Sequence, residues 1–320
     1  MSICLAIHGG AGTLRQSDLT DDVAAARHEG LRRALRRGFS CLRAGASALD
    51  AVTEAVMTLE DDPQFNAGHG AVLTDQATLE MDAAIMSGVD RRAGAVAGIC
   101  GPRNPIRAAR AVLDLTVLER AGPVLMIGEP ALAIARAAQL PFEPAAYFLT
   151  ESRVAALQRE LARRASGAPD TRSDADRHGT VGAVARDHAG HLAAATSTGG
   201  LTAKRAGRVG DTPIFGAGTF ADDATCAVSC TGTGEVFIRY TAAADIAARI
   251  RYRGDALAAA AQSVITELAD HGGDGGLIAL GPTGAPALVF NSSGMYRGFV
   301  TEDGALHTAI HREAFRTIAA

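Results

Sequence analysis

The first regularity in the chain is an apolar run at residues 3–7, long enough for a short buried strand, which stops in the turn His8-Gly9-Gly10-Ala11-Gly12. Past Asp18 and Thr20 the spacing becomes helical: Leu31, Leu35, Phe39 and Leu42 mark the buried stripe of a long helix that Gly45 ends. Ser47, with Asp50 three residues on, opens a second helix whose stripe is Leu49, Val52, Val56 and Leu59, and Pro63 closes the pair. From Phe65 to Thr74 small residues form a loop feeding a strand. Strand-like pieces follow at 79–83 and 93–100, a helix from Asn104-Pro105 to about residue 115, a short buried strand at 124–128 and an alanine-rich helix at 130–140.

Residues 151–164 again have helical spacing, whereas 165–179 offer little to bury. Ser166, Gly167, Pro169, Asp170, Ser173, Asp174, Asp176 and Arg177 give this stretch the composition of a solvated linker. The pattern then reverses at one peptide bond, Gly179–Thr180. Beyond it come a strand at 181–185, the turn Asp187-His188-Ala189-Gly190 and a returning strand at 192–196. Further strands are predicted at 214–219, 224–229, 235–240, 276–280 and 287–290, with helices at 242–250 and 255–268. Helices and strands arrive in blocks rather than in regular βαβ alternation, an α+β pattern with sheets packed face to face between helices.

Composition narrows the function classes. Of 320 residues, 48% are hydrophobic and 21% charged, enough for a sizeable core; the absence of Trp and the 36 glycines imply closely approaching backbones. A net charge of -4 argues against a nucleic-acid partner, and Arg32, Arg33, Arg36 and Arg37 read as the solvated face of the first helix. The five cysteines have no CxxC spacing and suit a reducing compartment. The first eight residues lack a basic leader and no apolar stretch is long enough for a membrane, so the expected location is cytoplasmic. The histidines include no HExxH pair for zinc, and the glycines after the first strand fail the GxGxxG spacing of a nucleotide loop.

Several separate strings complete the picture. They are His8-Gly9-Gly10-Ala11-Gly12, Phe65-Asn66-Ala67-Gly68, Met81-Asp82-Ala83, Gly94-Ala95-Val96-Ala97, Gly179-Thr180-Val181-Gly182-Ala183-Val184-Ala185, Thr196-Ser197-Thr198-Gly199-Gly200, Gly207-Arg208-Val209-Gly210-Asp211 and Thr231-Gly232-Thr233-Gly234-Glu235. Taken together and in this order, they resemble the plant-type L-asparaginase and isoaspartyl aminopeptidase family of N-terminal nucleophile hydrolases. The resemblance implies a four-layer αββα sandwich made as one precursor. That precursor would cut itself into an α-subunit, residues 1–179, and a β-subunit, residues 180–320, which together make one catalytic domain. It further implies a dimer of such αβ pairs, small-molecule or dipeptide substrates, and hydrolysis of isoaspartyl (β-aspartyl) peptides and of L-asparagine. No catalytic cofactor is implied, only a structural sodium ion on the loop containing Leu59, Glu60, Asp62, Phe65, Ala67 and His69, held by backbone carbonyls.

By the same resemblance, Thr180 attacks the Gly179 carbonyl, and the freed α-amino group then serves as base for its own hydroxyl. An α-amino group has a reference pKa of about 7.7–8.0, so a useful fraction is unprotonated near neutrality. Thr198 would hydrogen-bond the nucleophile, Thr231 and the Gly232 amide would form the oxyanion hole, and Asn66 would support the Thr180 amine and the cutting step. Arg208 would grip a substrate α-carboxylate and Asp211 its α-ammonium, with backbone help from Gly232 and Gly234. Without the flanking strings, Thr180 reads as an ordinary strand threonine, Thr-Gly-Thr-Gly as a turn, and Arg208 with Asp211 as a surface salt bridge. Ala203 and Asp222-Asp223 depart from the family's pattern at positions that bear on the leaving group. A glycosylasparaginase shares most of these strings, and an inactive binding relative is the alternative outside enzymes.

Overall fold

The computed structural model describes residues 1–12, 19–118, 122–168 and 179–319. It opens with β1 (Cys4–Gly12), then α1 (Asp21–Arg43) and α2 (Ala48–Glu60). Both helices begin at predicted caps. The Thr20 hydroxyl oxygen accepts from the Val23 N–H, and the Ser47 hydroxyl accepts from the Asp50 N–H while donating to its carboxylate at 2.6 Å. There follow β2 (Met81–Ser87), β3 (Ala93–Ile99), α3 (Pro105–Leu118), β4 (Leu125–Ile127), α4 (Gly128–Ala137), α5 (Ala145–Phe148) and α6 (Glu151–Ser166). Past Thr180 come β5 (Val181–Arg186), β6 (Leu192–Thr198), β7 (Thr219–Asp222), β8 (Cys226–Gly232), α7 (Gly234–Arg239), α8 (Ala242–Ala248) and α9 (Leu257–Asp270). The chain ends in β9 (Gly275–Leu280), β10 (Ala287–Phe290), β11 (Gly294–Thr301), β12 (Leu306–Ala309) and β13 (Arg316–Ile318).

Nine strands form one sheet in the order β13-β12-β11-β1-β5-β6-β2-β3-β4, antiparallel except for β3–β4, and four form a second in the order β10-β9-β8-β7. The two faces of β1 show why a strand buried throughout holds two cores together, since alternate side chains point opposite ways. Leu5 and Ile7 meet Leu31, Leu35, Val52, Val56 and Leu59 of the first helices, while Cys4 and Ala6 face Ala227, Ile278 and Leu280 of the smaller sheet. On the far side of that sheet, Phe237, Ile246, Val264 and Leu268 cover Cys226, Val228 and Leu277. The chain is α+β, as the block pattern predicts.

Several predicted elements change. Residues 71–74 form only an isolated bridge from Thr74 to Lys204, because the carbonyls and amides here are spent on the Asn66 loop and its neighbours. The strand predicted as buried at 124–128 is β4, on the sheet's edge, with Leu125 43% and Ile127 65% exposed. Residues 214–218 are turns and a bend apart from an isolated bridge from Phe215 to Thr219, and 235–239 are helical: a short apolar run fits either state, and the Thr233 carbonyl, accepting from the Val236 N–H, starts α7. β11 to β13 escape prediction because glycines and polar residues interrupt their alternation. α6 continues through Ser166 to a left-handed Gly167 at φ +65°, so a linker from 165 starts too early; Asp18 and residues 169–178, His178 included, lie outside the described residues.

Candidate active site

Three strand ends make the site. β5 starts just after Thr180, β6 runs out at Thr198 and β8 at Thr231-Gly232, so the two sheets deliver three threonines to one edge of their shared core. The loop after β6 adds Arg208 and Asp211. Gly179, Thr180, Thr198, Gly200, Leu201, Arg208, Gly210, Asp211, Thr212 and Gly232 line a single narrow cleft.

Its centre is the Gly179–Thr180 peptide. The Thr180 hydroxyl donates to Thr198 Oγ1 at 3.1 Å; Thr198 Oγ1 in turn donates to the Gly179 carbonyl at 2.9 Å and accepts from the Gly200 N–H at 2.9 Å. Thr198 therefore uses its one hydrogen and both lone pairs. Asn66 approaches from the loop after α2. Its side-chain N–H groups donate to the Gly179 carbonyl at 2.8 Å and the Gly200 carbonyl at 2.7 Å, while its Oδ1 accepts from the Val72 N–H at 2.9 Å. Two donors thus converge on the carbonyl beside the Thr180 hydroxyl, which polarises it toward attack. The turn predicted at residues 8–12 is instead the end of β1, whose pairing with β11 shifts register between His8 and Ala11. Gly10, at φ +110° in that irregularity, lets the strand lie flat on this peptide, since a side chain there would come within 3.1 Å of Gly179 Cα and 3.4 Å of Thr180 N.

Thr231 is fully buried behind the cleft-lining Gly232, and its Oγ1 accepts from the Ala11 N–H at 3.2 Å. Gly232 sits beside it at φ +151°, and a side chain there would approach Phe237 at 3.0 Å. Arg208 and Asp211 are not salt-bridged to each other. Instead Arg208 binds Glu235 through two parallel bonds of 2.8 and 2.9 Å, and the bare Cα of Gly234 makes room, since a side chain there would meet Asp211 Oδ1 at 2.8 Å and Arg208 Nη2 at 2.9 Å. Asp211 is buried with Oδ2 unpartnered among the described residues, and burial pushes its pKa up to about 7 despite the nearby Arg208. A buried carboxyl with a free oxygen is a receptor for a small cation such as an ammonium group.

The sequence profile of the family described as asparaginase matches residues 1–310. An isoaspartyl peptidase of Salmonella typhimurium is 47% identical over 315 residues, covering 97% of this chain and 98% of its own length, and one of Escherichia coli is 47% identical over 321 residues, covering 98% of each. A plant-type L-asparaginase of Pyrococcus abyssi is 39% identical over 316 residues, covering 94% of this chain and 97% of its own. The chain belongs to the asparaginase family.

In this asparaginase-family chain the loop from Leu59 to His69 uses its side chains elsewhere. Asp62 pairs with Arg33 at 2.7 Å, the His69 ring stacks on Tyr147, and Glu60 accepts from the Ser197 hydroxyl at 2.6 Å and the Ile106 N–H at 2.9 Å. Burial raises the Glu60 pKa to about 8. Backbone oxygens are what remain: a side chain on Gly68 would strike the Glu60 carbonyl, and one on Gly70 those of Pro63 and Phe65. Among the described residues no cluster of three His, Cys, Asp or Glu side chains offers a metal site.

Sequence reasoning missed the support of the Arg208 loop. Lys204 is buried and donates to the Glu80 carbonyl at 2.7 Å, with the buried Asp82 as charge partner; Glu80 and Asp75 accept from the Gly207 and Ala206 N–H groups at 2.8 and 3.1 Å. The acidic residues in this second group were visible, but their target loop lies some hundred and twenty residues on. Glu235 was legible as part of Thr-Gly-Thr-Gly-Glu, though not as the partner of Arg208.

Proposed function

We propose that this chain is an autoproteolytically activated threonine hydrolase that cleaves isoaspartyl peptides and converts L-asparagine to L-aspartate and ammonia. The observation that carries the reading is the Gly179–Thr180 peptide, with a hydroxyl on one side of a carbonyl that receives hydrogen bonds from Asn66 and Thr198. The names of the 47% identical relatives agree with it. In the cutting step Thr180 Oγ1 bonds to the Gly179 carbonyl carbon, its hydroxyl proton passes to the Thr180 nitrogen, and the C–N bond breaks so that this nitrogen, with its own hydrogen, departs as an amine. Water then opens the resulting ester, leaving a Gly179 carboxylate and a free Thr180.

In turnover the Thr180 amine takes the hydroxyl proton, and Oγ1 adds to the substrate's side-chain carbonyl. The oxyanion lies against the Thr231 hydroxyl and the Gly232 N–H, and the departing amine or ammonia takes the proton. Water hydrolyses the aspartyl ester. Arg208 and Asp211 hold the α-carboxylate and α-ammonium, so the substrate's carboxylate replaces Glu235 on the Arg208 fork. The αββα arrangement is supported by helices on the outer faces of two facing sheets. A sodium ion on the carbonyls of the 59–69 loop would fix the loop that presents Asn66, and a dimer of αβ pairs completes the proposal. The test compares β-aspartyl-leucine, L-asparagine and a glycosylated asparagine with cut protein. Release from the first two supports the proposal; release from the glycosylated compound alone points to a glycosylasparaginase, and none from any to a binding protein.

A further inference from the structure

One pleat below the cleft lies a second row of polar side chains that the reaction above does not use. Thr196 precedes Thr198 by two residues on β6, and Ser229 precedes Thr231 by two on β8, so each points the same way as the threonine at its strand's end. Gly182 follows Thr180 by two on β5 and stands opposite both His8 of β1 and Thr196 of β6. A side chain at Gly182 would fall 2.5 Å from His8 Nε2 and collide with the Ser229 hydroxyl, so the glycine is the space in which the imidazole lies. His8, Thr196, Thr219 and Ser229 are all fully buried.

The hydrogen-bond directions can be assigned from one end. His8 Nδ1 is 2.9 Å from the Thr180 carbonyl oxygen, which only accepts, so Nδ1 carries the proton. Burial pulls the imidazole down to about 3, so the ring is neutral at working pH and Nε2 is an acceptor. The Ser229 hydroxyl, 2.9 Å away, must then donate to Nε2, which turns its own lone pair to the Thr196 hydroxyl at 2.7 Å. Thr219 shares its one hydroxyl hydrogen between Thr196 Oγ1 at 2.7 Å and the carbonyl of Thr212, the neighbour of Asp211, at 3.0 Å.

We propose that Thr219, Thr196, Ser229 and His8 form a one-directional hydrogen-bond relay, joining the two sheets, that clamps the Thr180 carbonyl and so fixes the nucleophile relative to the Asp211 loop. They are positioning residues: none touches substrate, and they act through Thr180. The proposal rests on Thr180 being the nucleophile. Such a relay gives the imidazole and each of its three hydroxyls a partner inside a largely apolar interface, the condition under which a buried polar network rigidifies a core.

Two measurements on the full, cut protein test it. With histidine labelled by nitrogen-15, and the His8 signal assigned by its loss in His8→Asn, the wild-type ring should be the neutral Nδ1–H tautomer from about pH 5 to about pH 9. Ser229→Ala, which removes the donor to Nε2, should shift the Nε2 resonance while the Thr180 carbonyl holds the proton on Nδ1. In kinetics, Ser229→Ala and Thr196→Val should each lower kcat on β-aspartyl-leucine about tenfold or more while KM changes less than about twofold, and both should cut more slowly, because small misplacement of a reacting group is expensive. Thr196→Ser, which keeps the hydroxyl, should stay near wild type. A wild-type Nε2–H ring, or wild-type kcat in folded Ser229→Ala and Thr196→Val, would overturn the relay. No turnover by cut wild-type protein would instead remove the nucleophile reading beneath it.

Discussion

Asp211 carries the clearest pH signature of any single residue in the site. Its folded-state pKa of about 7 lies above the ordinary 3.8, so between those values the folded chain holds a proton that the unfolded chain has lost. Its contribution to stability therefore falls as pH rises through that window. For activity the sign is opposite, since an ammonium needs the ionised carboxylate. The proposed mechanism requires both Asp211 and the Thr180 amine unprotonated in the free enzyme, and so predicts that kcat/KM drops below about pH 7 with a slope approaching two protons. With substrate bound, the ammonium holds Asp211 ionised and kcat should keep a one-proton limb; parallel pH profiles of the two constants check this. Arg208→Ala should leave cutting intact yet raise KM for an aspartyl substrate at least tenfold, as expected from losing charge-assisted bonds of about 1.5–3 kcal/mol each. An unchanged KM would refute the clamp. The candidate site residues could be named because each sits in a short string, whereas Lys204 and Ser229 act through contacts made only when distant strands pair, and Asp82, though in the string Met81-Asp82-Ala83, gave no sign of its charge contact with Lys204.

Among elements, the close approach of α3 to the large sheet depends on a missing side chain. A methyl on Gly94 of β3 would lie 2.8 Å from the Leu113 Cα and clash with the backbone at Ala109. Since backbone cannot swing aside as a side chain can, Gly94→Ala should cost about 1–3 kcal/mol, read as a lowered urea midpoint at unchanged m-value. The string Gly94-Ala95-Val96-Ala97 announced a strand, but only the packing explains its glycine. Helices α1 and α2 were readable from their spacing and caps, and α6 from its spacing, though not its Thr150 and Gly167 caps. β11 and β12 were not, because their partners supply the burial that their own sequence does not advertise. α7 was misread for the opposite reason: six residues are too few to tell a helix from a buried strand.

For the whole molecule, strand order constrains what cutting can do. Along the large sheet, β11 to β13 come from after Thr180, β1 from before it, β5 and β6 from after, and β2 to β4 from before. The two pieces interleave, so a cut at Gly179–Thr180 leaves them hydrogen-bonded through β1, β5, β6 and β2. The composition seam at residue 179 showed where the chain changes character, and not that its halves are woven into one sheet. The central claim is that Thr180 becomes the nucleophile by being made an N-terminus, and mass analysis of the purified, active protein tests it most directly. The prediction is one native particle that separates under denaturing conditions into two pieces, the second beginning at Thr180. A hydrolytically active chain that stays intact, or a second piece beginning at any other residue, would contradict it.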